Sequence, residues 1–249
     1  MSDLAAFPDG WQRASVIVAH PDDIEYGVAG AVAAWTAAGR EVSYVLVTSG
    51  EAGIDSLAPA EARAAREAEE RASGAVVCVS AIEFLGHPDG RIVEDLALRR
   101  DLAAAIRRQR PDVVVAQYHG EHWGATAAGP WNSADHRAVG RATMDAVGDA
   151  ANRWIFDELA EEPWARTQWI AVAVGPDDAT HAVDVEAVEE LAIRSLLAHD
   201  AYLRGLGVTD PRGYAVDLLG GQSTSVAPRF GGRRGVAFAL TPGPGAPSA

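Results

Sequence analysis

Residues 19–25 read AHPDDIE and follow directly on the apolar run Ser15-Val16-Ile17-Val18. His20, Asp22 and Asp23 therefore stand at the mouth of a predicted strand. His20 and Asp23 are three residues apart, so one helical turn aims both at a single point. A neutral imidazole and a carboxylate converging in this way suit a divalent metal of the zinc type. Asp22 lies between them and is free to work on a water held by that metal.

A hydrolytic zinc site needs a third protein ligand and one open position. His136, beside Asp135 near the start of a predicted helix, is the choice for the third. Asp135 then serves as the carboxylate that hydrogen-bonds a neighbouring group and fixes its geometry. The competing reading of HPDD alone is a helix N-terminus, with Asp22 or Asp23 as N-cap and His20 an ordinary strand-end residue. His119 and His122 flank a Gly/Trp stretch and are either site groups or exposed loop histidines. His87, in Gly86-His87-Pro88-Asp89-Gly90, decorates a turn. His181 and His199 are read as structural.

The elements that must position these residues alternate as βαβ units, which implies a parallel sheet. Strands are expected at Ser15–Ala19, Glu41–Thr48, Ala75–Val79, Asp112–Tyr118, Trp169–Val174 and Ala182–Val185, with extended chain near Ile82–Leu85. Helices are expected at Ile24–Ala38, Pro59–Ser73, Glu94–Arg110 (stopped by Pro111), Ala134–Gly148 and Glu186–Leu203. Residues 119–132 read as a loop. The fold class is α/β, a Rossmann-like three-layer arrangement with a mostly parallel sheet flanked by helices. One domain covers 1–240, and 241–249 (TPGPGAPSA) reads as a loose tail. Gly27, Gly30 and Gly39 do not have dinucleotide-fingerprint spacing, and HPDD occupies the turn where those glycines belong. In such sheets ligands bind beyond the carboxyl ends of the strands. There His20, Asp22 and Asp23 meet Thr48–Glu51 from the second strand and His119, His122, Asp135 and His136 after the fourth.

The chain has 249 residues, 48% of them hydrophobic, and a net charge of −14. That supports one substantial core and argues against nucleic acid and anionic membranes as partners. Arg107, Arg108 and Arg110 read as a solvated helix face. All 21 basic residues other than histidine are arginine, which removes Schiff-base, Ser-Lys and P-loop chemistry. The single cysteine, Cys78, sits in Val76-Val77-Cys78-Val79 and reads as a small buried hydrophobe in a reducing compartment. The first ten residues have neither a basic nor an apolar signal region, and no apolar run reaches membrane-spanning length, so the cytoplasm is the expected location.

AHPDDIE, followed by VTSGEAG, the Arg66–Glu69 helix segment, FLGHPDGR and ADHRAVG, resembles the N-acetylglucosaminyl-phosphatidylinositol de-N-acetylase-like (LmbE-like) family from about Ser15 to His136. The helix ending near His199 looks like that family's last helix. The resemblance implies a zinc-dependent deacetylase of N-acetylglucosaminyl compounds, with one Zn²⁺ per chain on His20, Asp23 and His136 and Asp22 as general base. It also implies that Arg66 and Asp89 touch the sugar. The competing reading of Arg66 is a surface ion pair with a glutamate such as Glu70. The family often has a histidine three positions before its last ligand, and here that position is Ser133. His122 is the favoured loop residue for the vacated oxyanion role, over His119.

The expected activity is metal-assisted hydrolysis of a linear N-acyl amide on an amino sugar or glycosylated small molecule. The expected partners are such small molecules, with no nucleic acid and no membrane, and the chain is compatible with a homo-oligomer. Three alternatives stand beside this. One is a catalytically impaired relative binding a sugar or partner protein, which Ser133 would permit. Another is a zinc amidase acting on a thiol-sugar conjugate. The last is Mg²⁺ phosphoryl chemistry, against which the histidine donors speak.

Overall fold

A computed structural model of the protein describes residues 3–123 and 129–247. Eight strands form one sheet: β1 (Ala5–Ala6), β2 (Arg13–Val18), β3 (Glu41–Leu46), β4 (Ala81–Phe84), β5 (Val113–Ala116), β6 (Trp169–Ala173), β7 (His181–Asp184) and β8 (Gly235–Pro242). Their order is β1-β7-β8-β6-β5-β2-β3-β4. β2 pairs in parallel with both β3 and β5, and β4 and β6 extend the parallel set on either side. Only β8 runs antiparallel, between β6 and β7.

The strands are apolar on both faces, as a sheet covered twice requires. Val16, Val18, Tyr44, Leu46, Val113 and Val115 bury one face. Ile17, Val45, Val47, Val114 and Ala116 bury the other. The first face is covered by α1 (Asp23–Gly27) and α2 (Ala29–Ala37). The second is covered by α4 (Leu96–Gln109) and α5 (Ala134–Ala151), through Leu98, Leu102, Ile106, Val139 and Ala146 among others. Between β2 and β5 the chain order reverses direction along the sheet, and the crevice beyond their carboxyl ends is the place where such folds bind ligands. No helix among the described residues is long and apolar enough to cross a membrane.

Several local expectations are corrected. The helix expected at Ile24–Ala38 breaks at Val28 (φ −133°, ψ −2°) into α1 and α2, where Gly27 and a β-branched residue lie side by side. No strand forms at Ala75–Val79. Helix α3 (Pro59–Val76) runs into that stretch, and β4 takes the extended residues after it. Cys78 is consequently exposed, in a left-handed turn at φ +58°, and is no buried hydrophobe. The last expected helix, Glu186–Leu203, is two, α6 (Glu189–Leu197) and α7 (Asp200–Gly205), and a further helix, α8 (Pro211–Val226), was not expected. The strand after α8 also went unrecognised. Thr241 and Pro242, placed in the tail by sequence, end β8, and the Gly243 and Gly245 amides donate to Gln168 and Thr167. Of the expected loop 119–132, residues 124–128 lie outside the described residues, as do 248–249 of the expected tail.

Arg107 does not belong to a solvated face. It is 2% exposed and donates to the carbonyls of Asp149, Ala150, Asn152, Ile155 and Phe156. Those include the last carbonyls of α5, which have no partner within their own helix. A guanidinium from α4 thus fixes the far end of the helix that carries Asp135 and His136. Each buried acceptor left bare costs about 1–3 kcal/mol. Arg107→Ala is therefore expected to lower the urea-unfolding free energy by about 3 kcal/mol. Arg108→Ala, which loses only the half-exposed pairs with Glu83 and Glu161, should cost about 1 kcal/mol or less. Equal effects of the two would contradict this account.

Candidate metal centre

Beyond β2 the chain turns at Asp22, whose φ of +82° is left-handed. Aspartate tolerates that region better than most residues. The turn is fixed from outside. The Asp22 amide donates to Glu70 Oε2, and Arg66 donates to the Pro21 carbonyl and to Asp22 Oδ1, the latter at 2.9 Å. Asp22 occupies the N-cap position of α1 but its side chain caps nothing. Asp23 Oδ2 instead accepts the His20 amide at 2.8 Å. HPDD is thus more than a helix start: the tight turn places the His20 ring and the Asp23 carboxylate side by side.

His136, in the first turn of α5, completes the group. His20 Nδ1 lies 3.2 Å from His136 Nε2 and 3.3 Å from Asp23 Oδ2, and His136 Nε2 lies 3.0 Å from Asp23 Oδ1. A tetrahedral zinc ion holds N and O donors about 2.0–2.2 Å away, spacing any two by about 3.3–3.6 Å. The three separations lie between the short end of that range and about 0.3 Å inside it, and the donors are two imidazoles and a carboxylate. They fit such an ion.

The outer nitrogens are oriented as zinc-binding imidazoles usually are. His136 Nδ1 lies 2.9 Å from Asn132 Oδ1. An N–H donated there leaves Nε2 as the lone-pair nitrogen. His20 Nε2 lies 3.1 Å from Asp89 Oδ1 and 3.3 Å from Asp135 Oδ2. Asp135 also accepts the amides of Gly90 and Ile92, so it ties the GHPDGR turn to α5. Asp89 accepts the Ala52 amide. An N–H donated from Nε2 to these backbone-anchored carboxylates leaves Nδ1, which faces Asp23 and His136, as the lone-pair nitrogen of His20. Gly140 lets α5 approach this closely, since a Cβ there would strike the Gln117 carbonyl and the His119 side chain.

Electrostatics follow from the crowding of charge. Burial alone would lower the His20 pKa, but Asp135, Asp23 and Asp89 outweigh it and raise the imidazole well above its ordinary value. Burial would raise Asp23, but His136 and His20 hold it far below the usual carboxylate range. Asp22 is pushed up to about 7, chiefly by burial, against the opposing charge of Arg66. Tyr202 of α7 lines the same cleft as Asp22, and its ring lies 4.3 Å from the Arg66 guanidinium.

Arg66 and Glu70 are not a surface pair. Both are buried, on the stripe of α3 that also carries Ala62 and Ser73. Gly50 and Gly53, from VTSGEAG, leave the room that the Arg66 guanidinium fills. Behind Asp22, Glu70 faces Glu25 and His199, all fully buried. Burial and the Glu25 charge raise Glu70 well above its usual range.

His20, Asp22, Asp23, Asp89, Asp135 and His136 line one cleft of about 640 Å³, together with Arg66 and Ser133. His122 is not brought there. Its Nδ1 lies 2.9 Å from the Gly129 carbonyl, its ring packs edge-on against Trp131, and its backbone bridges to the same residue. His119 turns back to the Gln117 carbonyl. His87 pairs with Asp101 and His181 with Thr180. Sequence reasoning missed Asn132, Glu70 and Tyr202. The i, i+4 spacing of Arg66 and Glu70 was the available signal, read as a surface feature.

A doubly wound sheet with a His–Asp–His donor set at its switch point defines an α/β protein with a candidate metal-binding cleft at the carboxyl ends of its strands. The chain belongs to the GlcNAc-PI de-N-acetylase (PIG-L) family, which residues 15–147 match. It is 29% identical over 133 residues to a diacetylchitobiose deacetylase of Thermococcus kodakarensis, covering 53% of this chain and 47% of that protein. It is 28% identical over 139 residues to a probable N-acetyl-α-D-glucosaminyl L-malate deacetylase 2 of Bacillus anthracis, covering 53% and 58%. The chain thus spans about half the length of the curated relatives it matches. Its fold is similar to that of N,N'-diacetylchitobiose deacetylase from Pyrococcus horikoshii, with TM-score 0.78, 23% identity, and 93% and 84% of the two chains covered.

His136→Ala should reduce bound metal to a small fraction in elemental analysis. Asn132→Ala should keep the ligands but weaken binding about 10–100-fold in chelator competition. His122→Ala should leave metal affinity unchanged. Loss of metal in that last variant would overturn the placement of His122 outside the centre.

Proposed function

We propose that this protein is a zinc-dependent hydrolase that removes an N-acetyl or related N-acyl group from an amino sugar or glycosylated small molecule. The observation that carries the proposal is the donor set of His20, Asp23 and His136 with a buried, unligated carboxylate, Asp22, next to it in the same cleft. Family membership and the deacetylase activity named for the relatives support the same reading.

When bound, zinc would lower the pKa of its water toward about 7 and polarise the acyl carbonyl as a Lewis acid. The chain's own residues do the rest. Asp22 receives the proton at its carboxylate as the nucleophile forms, and returns it to the leaving amine. Arg66 holds that carboxylate in place, with the Tyr202 ring packed on its guanidinium. Asn132 and the Asp89–Asp135 pair keep the two imidazoles in their ligating tautomers. Arg66 acts here through Asp22 rather than on the sugar, and Asp89 acts through His20. Ser133 Oγ accepts the amides of Asp135 and His136, which leaves its O–H as a donor at the cleft edge where relatives often carry a histidine. In this reading His122 has no oxyanion role.

Asp22→Asn is expected to retain zinc and lose turnover by about 10²–10⁴-fold, the usual worth of a general base. The check is acetate release from N-acetylglucosamine derivatives, with zinc and with chelator, alongside elemental analysis. Chelator-insensitive release would sink the metal-dependent reading, and loss of zinc in Asp22→Asn would make Asp22 a ligand.

A further inference from the structure

Beside the cleft lies a second compartment of about 260 Å³. Tyr26, Gly27, Tyr118, Trp123, Ala173 and Gln222 line both, so the two spaces share a wall rather than lie on separate faces. The far side is made by α8 and the β6–β8 edge, with Val174, Leu219, Val226 and Val236 among its linings. Gly27 and Gly175 contribute bare backbone, and a Cβ on either would meet nothing within 4 Å.

Two of the carboxylates in this annex are already engaged. Glu189 is ion-paired with Arg234 at 2.5 Å and accepts a hydrogen bond from Ser223. Glu25 accepts from Ser73 and Ser195. Asp178 is exposed, at the rim. The annex has no arginine or histidine in its lining and several acidic residues, so it offers no cation to a phosphate or carboxylate group. An apolar cavity of about 150 Å³ takes a benzene ring. The annex therefore has room for a ring or a chain of several carbons.

We propose that the annex receives an apolar group carried by the substrate, so that the preferred substrate is an N-acyl amino sugar with an alkyl or aryl appendage rather than the bare sugar. This rests on the reading of the cleft as an N-deacylase site. The apolar group has two chemical sources, the aglycone on the sugar or a longer acyl chain on its nitrogen. Trp123 and Tyr118, whose ring centroids are 5.2 Å apart, then stand as an aromatic partition between the sugar and its appendage.

The test uses the zinc-loaded protein. Calorimetry compares N-acetylglucosamine, its hexyl glycoside and N-hexanoylglucosamine, and acid release from each is followed in parallel. Burying one methylene is worth about fourfold in affinity, so one of the hexyl compounds should bind at least about tenfold more tightly than N-acetylglucosamine. A gain with the glycoside assigns the annex to the aglycone, and a gain with the hexanoyl compound assigns it to the acyl chain. In Gly175→Leu and in Leu219→Trp, each placing bulk in the annex, that preference ratio should fall toward one. Binding of both hexyl compounds no tighter than that of N-acetylglucosamine would overturn the proposal. So would a preference that survives both variants. Tight binding of a hexyl compound without acid release from any of the three would instead refute the deacylase reading while leaving the annex intact.

Discussion

The centre depends on one turn. Asp22 sits at φ +82°, and only that backbone swings the chain from β2 into α1 sharply enough for His20 and Asp23 to face the same point. A non-glycine residue in this region is held by its surroundings. Here they are Glu70, which accepts the Asp22 amide, and Arg66, which binds the carbonyl before it and the carboxylate on it. Both come from α3, on a face that a helix ordinarily buries with apolar residues. The polar stripe of α3 is therefore the frame of the site. The glycines at 50 and 53 exist in that frame as the space the guanidinium occupies.

Crowded charge is the second constraint. Three carboxylates, Asp23, Asp89 and Asp135, surround His20, and each has a second partner that keeps it in place: His136, the Ala52 amide, and the Gly90 and Ile92 amides. The cluster joins the ends of β2, the turn after β4 and the start of α5. Segments far apart in sequence are thereby fixed to one another by the groups that would hold a cation, and a divalent ion would neutralise carboxylates that otherwise face one another.

What the sequence made legible was local. His20, Asp22 and Asp23 lie within four residues and Asp135-His136 are adjacent, so spacing alone brought each set to a strand end or helix start. The parallel core was legible because its central strands carry mostly apolar runs between helical patterns. Orientation was not. Nothing in GEHWG tells whether the His122 ring faces the cleft or packs on Trp131, because that depends on a pairing with residues 129–131. Arg107 and Arg108 are neighbours with opposite fates, one buried against carbonyls and one at the surface, and composition cannot separate them. Val76-Val77-Cys78-Val79 has strand composition, yet the preceding helix carries on to Val76. α8 was missed because its sequence, GYAVDLLGGQSTSV, carries two mid-helix glycines and no clear apolar stripe.

The position of β8 has a consequence for how the protein reaches its folded state. β1 and β7 join the rest of the sheet through β8 alone: β1 pairs with β7, β7 with β8, and β8 with β6. Residues 5–6 thus wait for residues 235–242 before their strand has a sheet to belong to. The parallel set from β4 to β6 closes over much shorter separations and can assemble as a unit beforehand. Loop-closure entropy makes the longer pairing the slow one. Until β8 inserts, the free edge of β6 and the two-strand ribbon of β1 and β7 are both open to other chains. The strand that completes the fold is also the one that protects it from aggregation.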